Sequence, residues 1–146
     1  MYSKLNLLLN LNYPQSLSSN VRLEVFQNMN LEIVREYCLK KPGVSESLPF
    51  NEDSPVYKVM DKIFLIASLT PPISINIKCE PEKAVELRER YSEVTPGYHM
   101  NKLHWNTVLF DNLIPDKLIL NWIDDSYNLV VQGLSKSKRS ILKRLS

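Results

Sequence analysis

Ile73-Ser74-Ile75-Asn76-Ile77-Lys78-Cys79 alternates apolar and polar residues without a break. Successive side chains of an extended chain point to opposite faces. Ile73, Ile75, Ile77 and Cys79 therefore share one face, and Ser74, Asn76 and Lys78 the other. A strand with one apolar and one polar face fits a sheet covered by helices on one side only, the habit of antiparallel sheets. Glu80-Pro81-Glu82 follows and opens a helix, with Pro81 in the first turn, where a missing N–H costs little. On that helix Ala84, Leu87, Arg88 and Tyr91 fall on one side.

Upstream, Val56-Tyr57-Lys58-Val59-Met60 alternates as a strand, Asp61-Lys62 turns, and the mostly apolar run 63–69 suits a central strand. Thr70-Pro71-Pro72 separates that run from the alternating stretch. A first helix is predicted over 30–40. Asn30 is placed to cap it, Leu31, Val34, Tyr37 and Cys38 recur at helical spacing, and Pro42-Gly43 stops it. Downstream, short strands are predicted near 94–98 and 105–110. A last helix runs from Ile114-Pro115-Asp116 to about Gly133, with Leu118, Trp122, Ile123, Tyr127, Val130 and Leu134 on its apolar face. The expected fold is α+β and two-layer: an antiparallel sheet with helices on one face, in the order α-β-β-β-α-β-β-α.

A chain of 146 residues, 44% hydrophobic and 23% charged, suits one globular domain. The net charge of +2 is too small to argue for nucleic acid by itself, but its distribution is uneven. Residues 29–133 hold 11 Lys/Arg against 15 Asp/Glu, whereas 134–146 hold five cations and no acid. Residues 135–146 are thus read as a basic C-terminal tail, either a phosphate-attracting segment or a solvated, frayed helix. Residues 1–28 are rich in Asn, Leu and Ser and lack a clean period. They are read as an N-terminal appendage, disordered or arising from a start codon upstream of a native Met29; the domain itself spans 29–134. The broken apolar run near the N-terminus is a poor signal peptide, and no run reaches the roughly 18 residues of a membrane helix. Cys38 and Cys79 have no metal-ligand or disulfide-framework spacing, and buried reduced thiols in a cytoplasmic protein are expected.

Chemistry-bearing side chains concentrate in Pro96-Gly97-Tyr98-His99-Met100-Asn101-Lys102-Leu103-His104-Trp105-Asn106-Thr107-Val108. Both histidines of the chain lie there, five residues apart with no acid between them, a weak metal signal. No nucleophile stands at triad spacing. Gly97 is expected to supply a backbone conformation other residues avoid, and Trp105 to bury its ring in the sheet. Asp124-Asp125 and Glu52-Asp53 read as solvated acid pairs. No catalytic residues, metal or cofactor are assigned, and an enzyme is not expected.

Several stretches carry a resemblance to a known family. They are Met29-Asn30-Leu31-Glu32 with Arg35-Glu36-Tyr37-Cys38, then Lys41-Pro42-Gly43-Val44, Pro49-Phe50 and Val56-Tyr57-Lys58-Val59. Ile75-Asn76-Ile77-Lys78-Cys79-Glu80-Pro81, the run 95–108 and Asp125-Ser126-Tyr127-Asn128-Leu129-Val130 complete the set. Over residues 29–133 the chain resembles the bacterial MmcQ/YjbR family, described as "double wing" DNA-binding proteins with a fold similar to type III secretion chaperones. The resemblance implies DNA binding and no catalytic residues. Met60-Asp61-Lys62 departs from the glycine-containing hairpin turn usual in that family. The candidates for DNA or anion contact are Lys58, Lys62, Lys78, Tyr98, Lys102, His104, Asn106, Lys136, Lys138 and Arg139. The alternatives are a chaperone-like protein-interaction module and a small-anion binder using loop 98–106.

Overall fold

The computed structural model describes residues 29–98 and 100–146; the expectations for residues 1–28 and for His99 lie outside them. Helix α1 (Leu31–Leu39) is capped by Asn30, whose side chain accepts from the Ile33 N–H, and buries Leu31, Val34 and Cys38. Strands β1 (Val44–Ser47), β2 (Val56–Val59), β3 (Lys62–Ser68) and β4 (Ser74–Lys78) follow. Helix α2 (Pro81–Arg90), strands β5 (Val94–Pro96) and β6 (Trp105–Leu109), and helices α3 (Asp116–Gln132) and α4 (Lys136–Leu145) complete the chain. The α+β order is the expected one with two additions, β1 and α4. Val-Ser-Glu-Ser carries no strand-like alternation of apolar residues; β1 exists because its backbone pairs with β2, Val44 opposite Val59 through Ser47 opposite Val56.

The six strands form one antiparallel sheet in the order β1-β2-β3-β4-β6-β5. Ile75 and Ile77 face the helices, as the alternation requires, together with their cross-strand partners Ala67, Leu65, Val108 and Asn106. Helix α3 packs over β3 and β4, α2 over β5 and β6, and α1 beside β1 and α3. The opposite face, with Val56, Lys58, Ile66, Ser74, Asn76, Lys78, Trp105 and Thr107, carries none of these three helices, and of these Val56, Ser74 and Thr107 are buried.

Three polar contacts fasten the helices to the sheet. On α1, the Arg35 Nε–H donates to both carboxylate oxygens of Glu46 on β1 (3.3 and 3.2 Å). On α2, the Arg88 Nε–H donates to Asn106 Oδ1 on β6 (2.6 Å), and Asn106 Nδ2 donates back to the Ala84 carbonyl (3.3 Å). On α3, the fully buried Ser126 hydroxyl accepts from the Lys78 N–H (2.8 Å) and donates to the Phe64 carbonyl (2.5 Å). The β3–β4 pairing ends at Leu65 opposite Ile77. Ser126 thus replaces the next rung of the ladder and joins strand to strand through a helix.

The β2–β3 register shifts between Tyr57, opposite Leu65, and Lys58, opposite Ile63, leaving Phe64 as an extra residue. Such a bulge re-aims a side chain. Phe64 and its neighbour Leu65 are both fully buried, and the Phe64 ring meets Tyr127 edge-on at 5.4 Å. The hairpin turns on Met60 (φ 48°) and Asp61 (φ 71°). Positive φ at both central residues fits the right-handed twist of the strands and stands in for the missing glycine. Gly43 (φ +71°) is where backbone freedom is needed, and a Cβ there would lie 2.6 Å from Leu142 Cδ1. Gly97 has no positive φ, contrary to expectation; a Cβ there would lie 2.7 Å from Trp105 Cβ, so the requirement is room.

Residues 136–145 form a helix capped by Ser135, and its Leu142 is only 5% exposed. Lys138 Nζ donates to the Met60 carbonyl at 3.3 Å. The basic segment is therefore held on the β2–β3 hairpin and the α1–β1 loop.

Replacing Ser126 by Ala leaves the Lys78 N–H and Phe64 carbonyl without their partner inside the fold. Ser126→Ala is expected to cost about 1–3 kcal/mol in urea unfolding, with an unchanged m-value. Burial pushes the thiols of Cys38 and Cys79 up from 9.0, to about 12 and about 11. Burial, then the hydrogen bond to the Asp124 carboxylate, raises the Tyr37 hydroxyl from 10.0 to about 12. Each group holds its proton more tightly when folded, so this stability is complete below about pH 9 and is lost as pH rises through the folded values. Urea midpoints are expected to be level near pH 8 and to fall between about pH 9 and 11; midpoints that rise across that range would contradict this.

Candidate nucleic-acid interface

The antiparallel connections sort the loops by end. At one end lie the α1–β1 loop, the β2–β3 hairpin, the β4–α2 junction and the β5–β6 loop. At the other lie loops 48–55, 69–73 and 110–115 and the α2–β5 turn 91–93. Those far loops hold Glu52, Asp53 and Asp111 and no Lys or Arg. The hairpin end carries Lys40, Lys41, Lys62, Lys78, Lys102 and His104, and α4 adds Lys136, Lys138, Arg139, Lys143 and Arg144. Asp61 and Glu80 are also at this end, and Asp124 pairs there with Lys41. Arg90 and Lys117 flank the far loops on α2 and α3, so the uneven charge along the strand direction is one of the loops and of α4.

Lys62 opens β3 and is exposed; Lys58 and Lys78 stand half-buried on the uncovered face. None of the three makes an ion pair among the described residues. Lys102 bends back, its Nζ donating to the Gly97 carbonyl at 3.3 Å. His104 is half-buried, and its carbonyl accepts from the Cys79 N–H at 2.7 Å, tying the loop to the end of β4. Tyr98 is 70% exposed, and its backbone N–H donates to Thr107 Oγ1 at 3.1 Å. The Thr107 hydroxyl in turn donates to Asn76 Oδ1 at 2.6 Å, a short relay across the uncovered face. Asn76 Nδ2 has no hydrogen-bond partner among the described residues.

Asn106 is a correction. It is 1% exposed and lies on the helix side of β6, with both ends of its amide engaged by Arg88 and Ala84. Alternation along β6 decides this: Trp105 and Thr107 face outward, so Asn106 faces inward. A pocket built jointly by Tyr98, Lys102, His104 and Asn106 does not form, because Asn106 sits behind the sheet and Lys102 is drawn back to Gly97.

Arg88, read from the sequence only as a face residue of α2, is the organiser of the loop. Besides Asn106, its guanidinium donates to the carbonyls of Lys102 and Trp105 (the latter at 3.2 Å), which secures both the turn of the loop and the start of β6. Its place on the apolar side of a helix was the available signal: a cation there needs several acceptors within reach.

Comparison with known proteins agrees with this architecture. Residues 39–129 match the YjbR family model. The chain is 34% identical over 118 residues to the uncharacterized protein YjbR of Escherichia coli strain K12, covering 80% of this chain and all of that protein. It is 38% identical over 106 residues to the uncharacterized protein YbdF of Escherichia coli O157:H7, covering 72% of this chain and 87% of that one. Its fold is similar to the crystal structure of Deinococcus radiodurans protein DR2400, of domain family DUF419. That match has a TM-score of 0.75, 31% identity and coverage of 80% and 90% of the two chains. A Pseudomonas syringae protein crystal structure is similar with a TM-score of 0.62 and 28% identity, covering 69% of this chain and 98% of that one. The chain belongs to the YjbR family.

Proposed function

We propose that this protein binds DNA, using the cations at the hairpin end of the sheet to neutralise phosphates. The carrying observation is the segregation of charge in the loops: 48–55, 69–73, 91–93 and 110–115 hold no Lys or Arg, Arg90 and Lys117 being the cations on the helix ends beside them, and the candidate cations lie together at the other end. Lys58, Lys62 and Lys78 lie on strands and a hairpin, rigid elements that hold charges at fixed spacing for a phosphate chain. Helix α4 adds cations on a segment that Leu142 and Lys138 hold in place. In this reading the protein is a cytoplasmic binding protein rather than an enzyme. No helix among the described residues is long and apolar enough to cross a membrane.

A second reading has its own observation. At the far end, Leu48, Phe50 and Leu113 are exposed beside the acidic loops, Phe50 at 66% and Leu113 at 72%. Apolar residues among acids suit a protein partner. A chaperone-like role would use that end and leave the cations idle.

Duplex binding by the full chain, followed by fluorescence anisotropy over a salt series, separates the two. DNA affinity is expected to fall with log salt at a slope of about −0.9 per phosphate contacted. Lys62→Ala and Lys78→Ala are each expected to reduce that slope by about one contact, and Lys143→Ala with Arg144→Ala to reduce it further. Absence of binding at low salt to the duplex and to single-stranded DNA alike would overturn the DNA reading.

A further inference from the structure

We infer that the uncovered sheet face is a platform for single-stranded DNA, on which an unpaired base stacks against the Trp105 indole. This rests on the DNA reading above and specifies its ligand. Trp105 points outward from β6, directly opposite Lys78 on β4. On its other side stands Gly97, whose N–H donates to the Trp105 carbonyl at 2.8 Å and which has no side chain to place against the ring. Trp105 is half-buried, so part of it stays open to solvent on this face.

The neighbouring row supplies polar groups. The Thr107 hydroxyl, fixed by the Tyr98 N–H, bonds Asn76 Oδ1 and so leaves the Asn76 NH2 as an oriented donor on the same face. Donors of this kind suit the acceptor edges of an unpaired base or a sugar. Lys58 and Lys78 stand two strands apart, about 10 Å, on either side of β3. A phosphate chain crossing the strands would meet both ammoniums.

The geometry selects single-stranded ligand. Bases in a duplex stack on one another and turn only their edges into grooves, so a ring lying on a broad sheet cannot reach a base face. An unpaired strand offers that face freely, and aromatic stacking with cations beside it is the usual means of holding one. Among the described residues, α1, α2 and α3 pack on the other side of the sheet.

Tryptophan emission provides the test, because the chain has two tryptophans and Trp122 is buried against Tyr91. The full chain is titrated at one salt concentration with a short oligothymidine and with a duplex of equal length, reading anisotropy and emission together. Oligothymidine is expected to bind more tightly than duplex and to quench the emission. Trp105→Ala is expected to weaken oligothymidine between about fivefold and about 150-fold and to leave the duplex affinity unchanged, with Trp105→Phe restoring much of the loss. Oligothymidine that binds more weakly than duplex and without quenching would overturn the platform and leave the DNA reading standing. Neither ligand binding at low salt would remove both. The quench on the unaltered chain decides the question even if Trp105→Ala does not fold.

Discussion

The Ser126 hydroxyl is the contact on which the arrangement of the sheet and its helices turns. It lies where α3 crosses β3 and β4, and it takes up one N–H and one carbonyl that the strand ladder leaves unpaired. A buried backbone group without a partner is costly, so the helix is fixed in position along the strands as well as in contact with them. The bulge at Phe64 belongs to the same joint. It turns Phe64 toward Tyr127 and keeps two adjacent apolar residues in the core. Arg35 with Glu46 and Arg88 with Asn106 do comparable work for α1 and α2. Among the described residues, α1, α2 and α3 are thus all fastened to one side of the sheet.

What remains on the other side follows from alternation. Each residue aimed at the helices leaves its neighbours aimed outward, so the inward Ile75, Ile77 and Asn106 imply outward Asn76, Lys78, Trp105 and Thr107. The antiparallel order then gathers the ends of β2, β4 and β5 with the starts of β3 and β6 at one end. The cations of those segments come together there without being close in sequence. The proposed ligand, a polyanion with exposed bases, would meet those cations and the outward Trp105 together.

Much of this fold was legible before any coordinates. The unbroken alternation of 73–79, the Asn30 cap and the apolar stripes of α1, α2 and α3 rest on local rules of spacing, and the structure follows them. Less of the candidate site was legible. Asn106 looked like one more polar side chain in a polar loop, and only the strand register shows that it faces inward. Arg88 looked like an interruption of an apolar stripe, and its acceptors lie 14 to 18 residues further along the chain. β1 exists through a partner strand, and Leu142 marks a docked helix only because Gly43 leaves space for it. These features depend on contacts between distant segments, and no local period announces them. Gly97 showed that a required glycine can answer a need for space as well as a need for positive φ.

The proposed binding surface is the sheet face opposite α1, α2 and α3 together with its basic end. The most direct measurement is an amide chemical-shift map of the nitrogen-labelled full chain during titration with oligothymidine. The amides of Lys58, Asn76, Lys78, Trp105 and Thr107 are expected to move together and saturably, while loops 48–55 and 110–115 stay still. Shifts confined to those far loops, around Phe50 and Leu113, or the absence of any shift, would contradict it.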